Sequence, residues 1–246
     1  MFENVALRLK AYWAVCEYRG GHTSPSELIQ HPLKGIETLS PAQRRKRLLT
    51  SLAIVRSLHK AGHLCADALP YSCEAIVKAA PETERYELVN IALPLGALAY
   101  QHPRMSIQSL LTRHKELIGL LPPSERLVPV NTALDFARNA NIGDYWLRSH
   151  LWDLTWLLPK DQRRELVDSG VNLDMALEKE WGQKPKCILE HRVSRIQCLP
   201  KNQRNDAAQQ YGLWESATAA WTEFATTGDS DALPTLRDAF ALCGAP

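Results

Sequence analysis

Residues 158–168 read LPKDQRRELVD, and the proline-to-arginine spacing in this stretch recurs along the chain. Pro41, Pro81, Pro122, Pro159 and Pro200 stand 40, 41, 37 and 41 residues apart. Four positions after each proline comes an arginine: Arg45, Arg85, Arg126, Arg163 and Arg204. Eight positions after each proline the residue is apolar (Leu49, Val89, Val130, Val167, Ala208), and the next is polar (Thr50, Asn90, Asn131, Asp168, Gln209). Self-similarity at a fixed period of this length is the mark of an architecture built from stacked units.

The proline has a physical meaning in this setting. Its missing N–H does no harm in the first turn of a helix, where that group has no intrahelical acceptor, and its ring discourages continuation of a preceding helix. Each copy is therefore expected to end one helix and start another. Ser40 and Gln43 flank Pro41 at the spacing of a capping box. Between the prolines, apolar residues recur at helical spacing: Leu48, Leu52, Val55 and Leu58, then Leu88, Ala92, Leu95 and Leu98. Breaks fall at Gly62, at His102-Pro103, around Asn139 to Gly143, and at Gly182 before Pro185. Pro94 and Pro129 lie within expected helices and predict kinks. Strand alternation and hairpin dipeptides are missing from the sequence.

These signals predict an all-α chain, a right-handed α-solenoid of about five two-helix repeats of roughly 40 residues, similar in unit length to HEAT and armadillo repeats. The expected organisation is a single domain over 1–246, with an N-terminal cap at 1–40 broken at Gly20-Gly21. The repeats follow at 41–227, and a closing helix at 228–246 begins near Gly228-Asp229-Ser230-Asp231.

Composition narrows the function classes. The net charge is +2 over 246 residues, too small a basic excess to indicate a nucleic-acid binder by itself. Six cysteines, Cys16, Cys65, Cys73, Cys187, Cys198 and Cys243, form no C-x-x-C pair, which reads as reduced, mostly buried thiols. No stretch has the length and apolarity of a membrane span, and Glu3, Arg8 and Lys10 interrupt any signal-peptide core. A cytoplasmic protein follows, with export through a specialised secretion system left open. Walker, dinucleotide, G-x-S-x-G and H-E-x-x-H motifs are missing. No cofactor and no metal is expected, and catalytic residues are not assigned. His59 and His63, with Cys65 and Asp67 nearby, share a helical face as zinc ligands would, but Gly62 loosens that helix end. Asp135, Asp144 and Asp153, beside aromatic residues, are the weakly marked places for a hidden acid or base.

Two groups are candidate binding residues. The five arginines would form a ladder along stacked repeats, either as a ridge for an anionic partner or as bridges to a carbonyl or carboxylate of an adjacent helix, with acids such as Glu82, Glu84, Glu87, Glu125, Asp161 and Glu165 at hand. Trp152 and Trp156, four apart, together with Trp146, Trp181, Trp214 and Trp221, would offer an aromatic surface. The commoner outcome for tryptophans flanked by Leu147, Leu151, Leu154, Leu157 and Leu158 is burial between helices.

The Leu-Pro-x-x-x-Arg copies at Leu121-Pro122 to Arg126, Leu158-Pro159 to Arg163 and Leu199-Pro200 to Arg204 resemble repeats of secreted effectors of Gram-negative plant pathogens. That resemblance spans residues 39–225 and implies a HEAT-like array that engages protein partners in virulence or bacterial competition. A second likeness, at the level of fold, is to HEAT-like DNA glycosylases. It implies a nucleic-acid-acting enzyme using Trp152, Asp153 and Trp156 in a basic groove; the weak net charge speaks against it. An interaction module without enzymatic activity further predicts that no pocket gathers several titratable groups with shifted pKa values.

Overall fold

The structure, a computed structural model, describes residues 25–30, 33–66, 68–101, 106–182, 184–228 and 230–243. The expected features at Gly20-Gly21, Cys16, Asp67, His102-Pro103 and Asp229 lie outside these, as does the Trp181 side chain. The described residues are all-α, with no strand among them. The chain divides into two compact units, 1–140 and 141–246.

In the first unit a short helix α1 (Pro25–Gln30) leads through a 3-10 turn (Ile36–Thr38) into α2 (Pro41–Lys60), α3 (Ala68–Lys78), α4 (Arg85–Leu98), α5 (Ile107–Gly119) and α6 (Leu127–Asn139). From α2 onward each helix packs on the next in sequence. The members of alternate positions also touch: α2 with α4, α4 with α6, and α3 with α5. The apolar stripe read from the sequence faces inward, with Leu48, Leu52, Val55 and Leu58 each at 1% exposure or less. Leu69, Ile76, Leu88, Leu110 and Leu117 of the other helices of this unit are fully buried as well. Truncating one such leucine to alanine costs about 2–5 kcal/mol, so this stripe dominates the unit's stability.

The second unit contains α7 (Asp144–Leu157), α8 (Arg164–Trp181), α9 (Pro185–Gln197), α10 (Lys201–Gln210), α11 (Leu213–Thr227) and α12 (Leu233–Leu242). Helix α9 is central: α8, α10, α11 and α12 all pack on it, while α7 lies on α8. Its core joins Val167, Val171, Leu189, Ile196, Leu213 and Leu236. Helix α8 stops at Gly182, whose φ of 59° and N–H bond to the Glu178 carbonyl make a left-handed cap open to glycine.

The prolines differ from one another in place. Pro41 is the first residue of α2, where Ser40 Oγ accepts from the Gln43 N–H and the Gln43 side chain accepts from the Ser40 N–H, completing the capping box. Pro81, Pro122 and Pro159 instead precede single 3-10 turns, with φ near −55° and ψ of 145–150°. Pro200 holds the same extended conformation ahead of α10. The ring is thus the corner residue before the helix, and the 3-10 turn carries the chain round to the arginine. The kink predicted at Pro129 has no basis in the structure: it is the third residue of α6, in the first turn, where its N–H would have no acceptor. Pro94 does lie inside α4, which is helical on both sides of it.

Candidate functional site

The five arginines share a local geometry with one exception. Arg85, Arg126, Arg163 and Arg204 each donate through Nε to the carbonyl of the residue before their own proline: Ala80 at 3.0 Å, Leu121 at 2.8 Å, Leu158 at 2.8 Å and Leu199 at 3.0 Å. Carbonyls at a helix C-terminus have lost their intrahelical donors, and the guanidinium supplies the replacement. Further N–H groups reach other helix ends. Arg126 and Arg204 donate to Gly119 and Gln197 at 3.1 and 2.8 Å. Arg85 donates to Leu120 at 3.3 Å and Arg163 to Cys198 at 3.2 Å, each two residues before the next proline in the series. These two therefore join consecutive units of the repeat. Arg45 departs from the pattern: it forms a bidentate pair with Glu87 at 2.6 and 2.7 Å, beside Arg44 and Glu84. Of the acids expected as partners of the five, Glu87 fills that role for Arg45, Glu84 pairs with Arg44 outside the series, and backbone carbonyls serve the other four arginines.

The tryptophans depart from the expectation of burial. Trp156, Trp214 and Trp221 are 52%, 53% and 47% exposed, and Tyr145 is 58% exposed. The reason is register. Leu151, Leu154 and Leu158 take the inward positions of α7 and its end, which puts Trp156 off the stripe and leaves Trp152 half-buried at its edge. Trp152 and Trp156 meet edge to face at 5.7 Å. The Arg163 guanidinium lies 4.8 Å from the Trp156 ring and that of Arg195 lies 5.0 Å from the Trp152 ring, both within cation–π range.

Around Trp152 a pocket of about 280 Å³ opens in the second unit, lined by Tyr145, Arg148, Ser149, Trp152, Asp174, His191, Ser194 and Arg195. At its base Asp174 and Arg195 are each 3% exposed. Arg195 Nε donates to Asp174 Oδ2 at 3.2 Å, and Arg148 Nε lies 2.6 Å from Asp174 Oδ1. The second contact is an ion contact without a directed N–H, since Oδ1 accepts no hydrogen bond. Arg195 Nη1 and His191 Nδ1 are likewise buried without a partner. A buried polar atom without a partner costs about 1–3 kcal/mol, a cost that a polar partner reaching it would remove. Gly170 on α8 makes room for the cluster: a Cβ there would stand 2.7 Å from Arg195 Cζ, so the guanidinium lies directly on the helix backbone. Burial holds His191 below its ordinary pKa, and the Arg148 guanidinium pushes the same way, against the weaker pull of Asp174. This pocket collects five titratable side chains, Tyr145, Arg148, Asp174, His191 and Arg195, with His191 the one shifted, so it is not a pocket of several shifted groups.

Of these lining residues, Trp152 alone was marked as a site residue by the sequence. Asp174 was nonetheless visible: it falls on the stripe Val167, Val171, Asp174, Leu177, a charge where an apolar residue belongs. The remaining marked residues lie elsewhere. His59 Nδ1 is 3.1 Å from the Leu64 carbonyl and closes the turn after α2. Among the described residues no group of three or more His, Cys, Asp or Glu is placed to hold a metal ion, and no helix is long and apolar enough to cross a membrane. Cys73 and Cys198 are buried, and burial pushes the Cys73 thiol up to about 12; Cys65 is exposed, contrary to the general expectation for the thiols. No protein-family model, curated protein or solved structure matches this chain.

Proposed function

We propose that the chain is a binding module, a right-handed α-solenoid of five two-helix units that engages a protein partner through exposed aromatic side chains. The observation that carries this reading is the outer face of α11. Trp214 and Trp221, seven residues apart and so on one side of the helix, are each about half exposed. Large aromatic rings left in water along one side of a helix are usual anchors of protein interfaces. The alternating contacts of α2, α4 and α6, and of α3 and α5, support stacked helix pairs as the frame. The arginines, spent on helix-end carbonyls, act as staples of that frame. The likeness of the Leu-Pro-x-x-x-Arg copies to effector repeats supports a protein as the partner class.

The glycosylase-type alternative gains less. The carboxylate that reaches the pocket beside Trp152 is Asp174, buried between two arginines, and Asp153 is not among the lining residues.

The test is affinity capture with the intact chain and with Trp214→Ala/Trp221→Ala, after circular dichroism shows equal helicity. A partner retained by the wild type at near-stoichiometric yield should be lost from the double variant, because interface tryptophans each carry about 2 kcal/mol or more. Equal retention by both would remove the reading.

A further inference from the structure

We propose that the pocket between α7, α8 and α9 is a binding site for a monocarboxylate attached to a small apolar or aromatic group. The inference stands on the pocket alone, whether or not the tryptophans of α11 engage a partner.

Charge sets the class. The lining holds two guanidinium groups, Arg148 and Arg195, against one carboxylate, Asp174, with a histidine that burial holds below its ordinary pKa. Among the lining groups the guanidiniums outnumber the carboxylate by one, and around them Glu178 is paired with Arg192 while Glu190 acts on His191, so the site takes one negative charge at most, which suits a singly charged anion better than a doubly charged phosphate. Geometry points the same way. Arg148 touches Asp174 through Nε and makes no directed hydrogen bond to another described residue, although its charge also acts on Glu178 and His191. Its Nη1 and Nη2 are thus an uncommitted pair of parallel donors, the fork that matches a carboxylate.

The pocket is also built rather than incidental. Arg195 is 97% shielded, bonded to Asp174 on one side and lying against Gly170 on another, with Nη1 buried and unpartnered. That position fixes Asp174, and Asp174 in turn fixes the Arg148 Nε. Trp152 and Tyr145 add aromatic surface to the lining, Trp152 with the Arg195 guanidinium 5.0 Å from its ring, together with the exposed Ser149 and Ser194. A volume of about 280 Å³ sits at the lower end of ligand pockets, suited to a side-chain-sized group. A carboxylate on the Arg148 fork with its apolar body against Trp152 satisfies each of these features. The source of such a group is either a free acid or the C-terminal residue of a peptide.

Benzoate is the probe, with benzamide as its uncharged isostere and inorganic phosphate as the alternative anion. Calorimetry and tryptophan fluorescence on the intact chain should show saturable benzoate binding with a Kd of about 1 mM or tighter, a reasonable value for so small a ligand. Benzamide and phosphate should bind at least about tenfold more weakly. Arg148→Gln should abolish binding. Ser149→Leu, at an exposed helical position, should block the pocket by bulk without disturbing the core, and so serves if Arg148→Gln does not fold. A peptide ending in phenylalanine, offered with a free and with an amidated C-terminus, separates the two sources. Binding of the free form alone places the natural ligand at a chain terminus, and failure of both with benzoate bound places it among free acids. The proposal is overturned if benzoate shows no saturation by about 10 mM with the fold intact, if phosphate or benzamide binds equally well, or if Ser149→Leu binds as the wild type does.

Discussion

Arg163 and Arg45 hold the same position after their prolines in environments of opposite kind. Arg163 is 7% exposed and bonds two carbonyls that have no other helix donor, those of Leu158 and Cys198. Arg45 has a side chain 56% exposed, and its partner Glu87 is 44% exposed. Burial decides which contributes. Charge-assisted bonds to shielded carbonyls are worth about 1.5–3 kcal/mol each, and removal leaves the acceptors unmet; an exposed ion pair is worth about 0–1 kcal/mol because water and salt screen it. Arg163→Ala is therefore expected to lower unfolding free energy by about 3 kcal/mol, and Arg45→Ala by less than about 1 kcal/mol. Urea titrations of both variants check this, and similar losses would show that burial is not what distinguishes them. The sequence put both residues in one class, since spacing is blind to exposure. It raised bridging to carboxylates or carbonyls of an adjacent helix, but could not say which arginine takes which, because every residue offers a carbonyl and none is marked.

At the scale of the helix, sequence reading succeeded where one periodic pattern decided the matter and failed where two factors competed. The stripe of α2 and the capping box at Ser40 and Gln43 needed nothing beyond local spacing. Pro94 and Pro129 looked equivalent, yet two residues of helix precede Pro129, which sits in a first turn, and nine precede Pro94, the tenth residue of α4. The boundary, set by the 3-10 turn Pro123–Glu125 ahead of α6, decided between them, and helix boundaries are the least legible feature of a sequence. The difference is measurable. Pro94 is exposed and lacks the N–H that would bond the Asn90 carbonyl. Pro94→Ala restores that donor without touching the core, gaining up to about 3 kcal/mol in helix propensity against about 1 kcal/mol lost through a more flexible unfolded chain. A rise in thermal midpoint of several degrees is expected. Pro129→Ala, in a first turn, should show no such rise. A fall in midpoint for Pro94→Ala would mean that the surrounding helices are fitted to the proline's backbone.

Over the whole molecule the net charge of +2 says less than where the cations are spent. Arg44, Arg45, Arg113, Arg148, Arg164, Arg192 and Arg195 each contact a carboxylate. Arg85, Arg126, Arg163 and Arg204 keep their charge but commit N–H groups to helix-end carbonyls. A polyanion binds by replacing counterions along a run of cations free to face it, and here much of the arginine complement is engaged inside the fold. This organisation was only partly legible. The repeat exposed the helix boundaries, whereas Arg148, Asp174, His191 and Arg195 come from three helices and meet through packing that no local pattern encodes. The consequence for function can be tested on one column. The chain is expected to leave heparin at or below roughly 0.15 M salt, where charges beyond about 8 Å are screened. Because affinity falls steeply with salt for a protein that neutralises many phosphates, a true nucleic-acid binder would stay bound well above that. Elution above roughly 0.3 M salt would show a continuous cationic surface, return the Trp152–Trp156 pair to consideration as a base-stacking platform, and count against a protein as the partner.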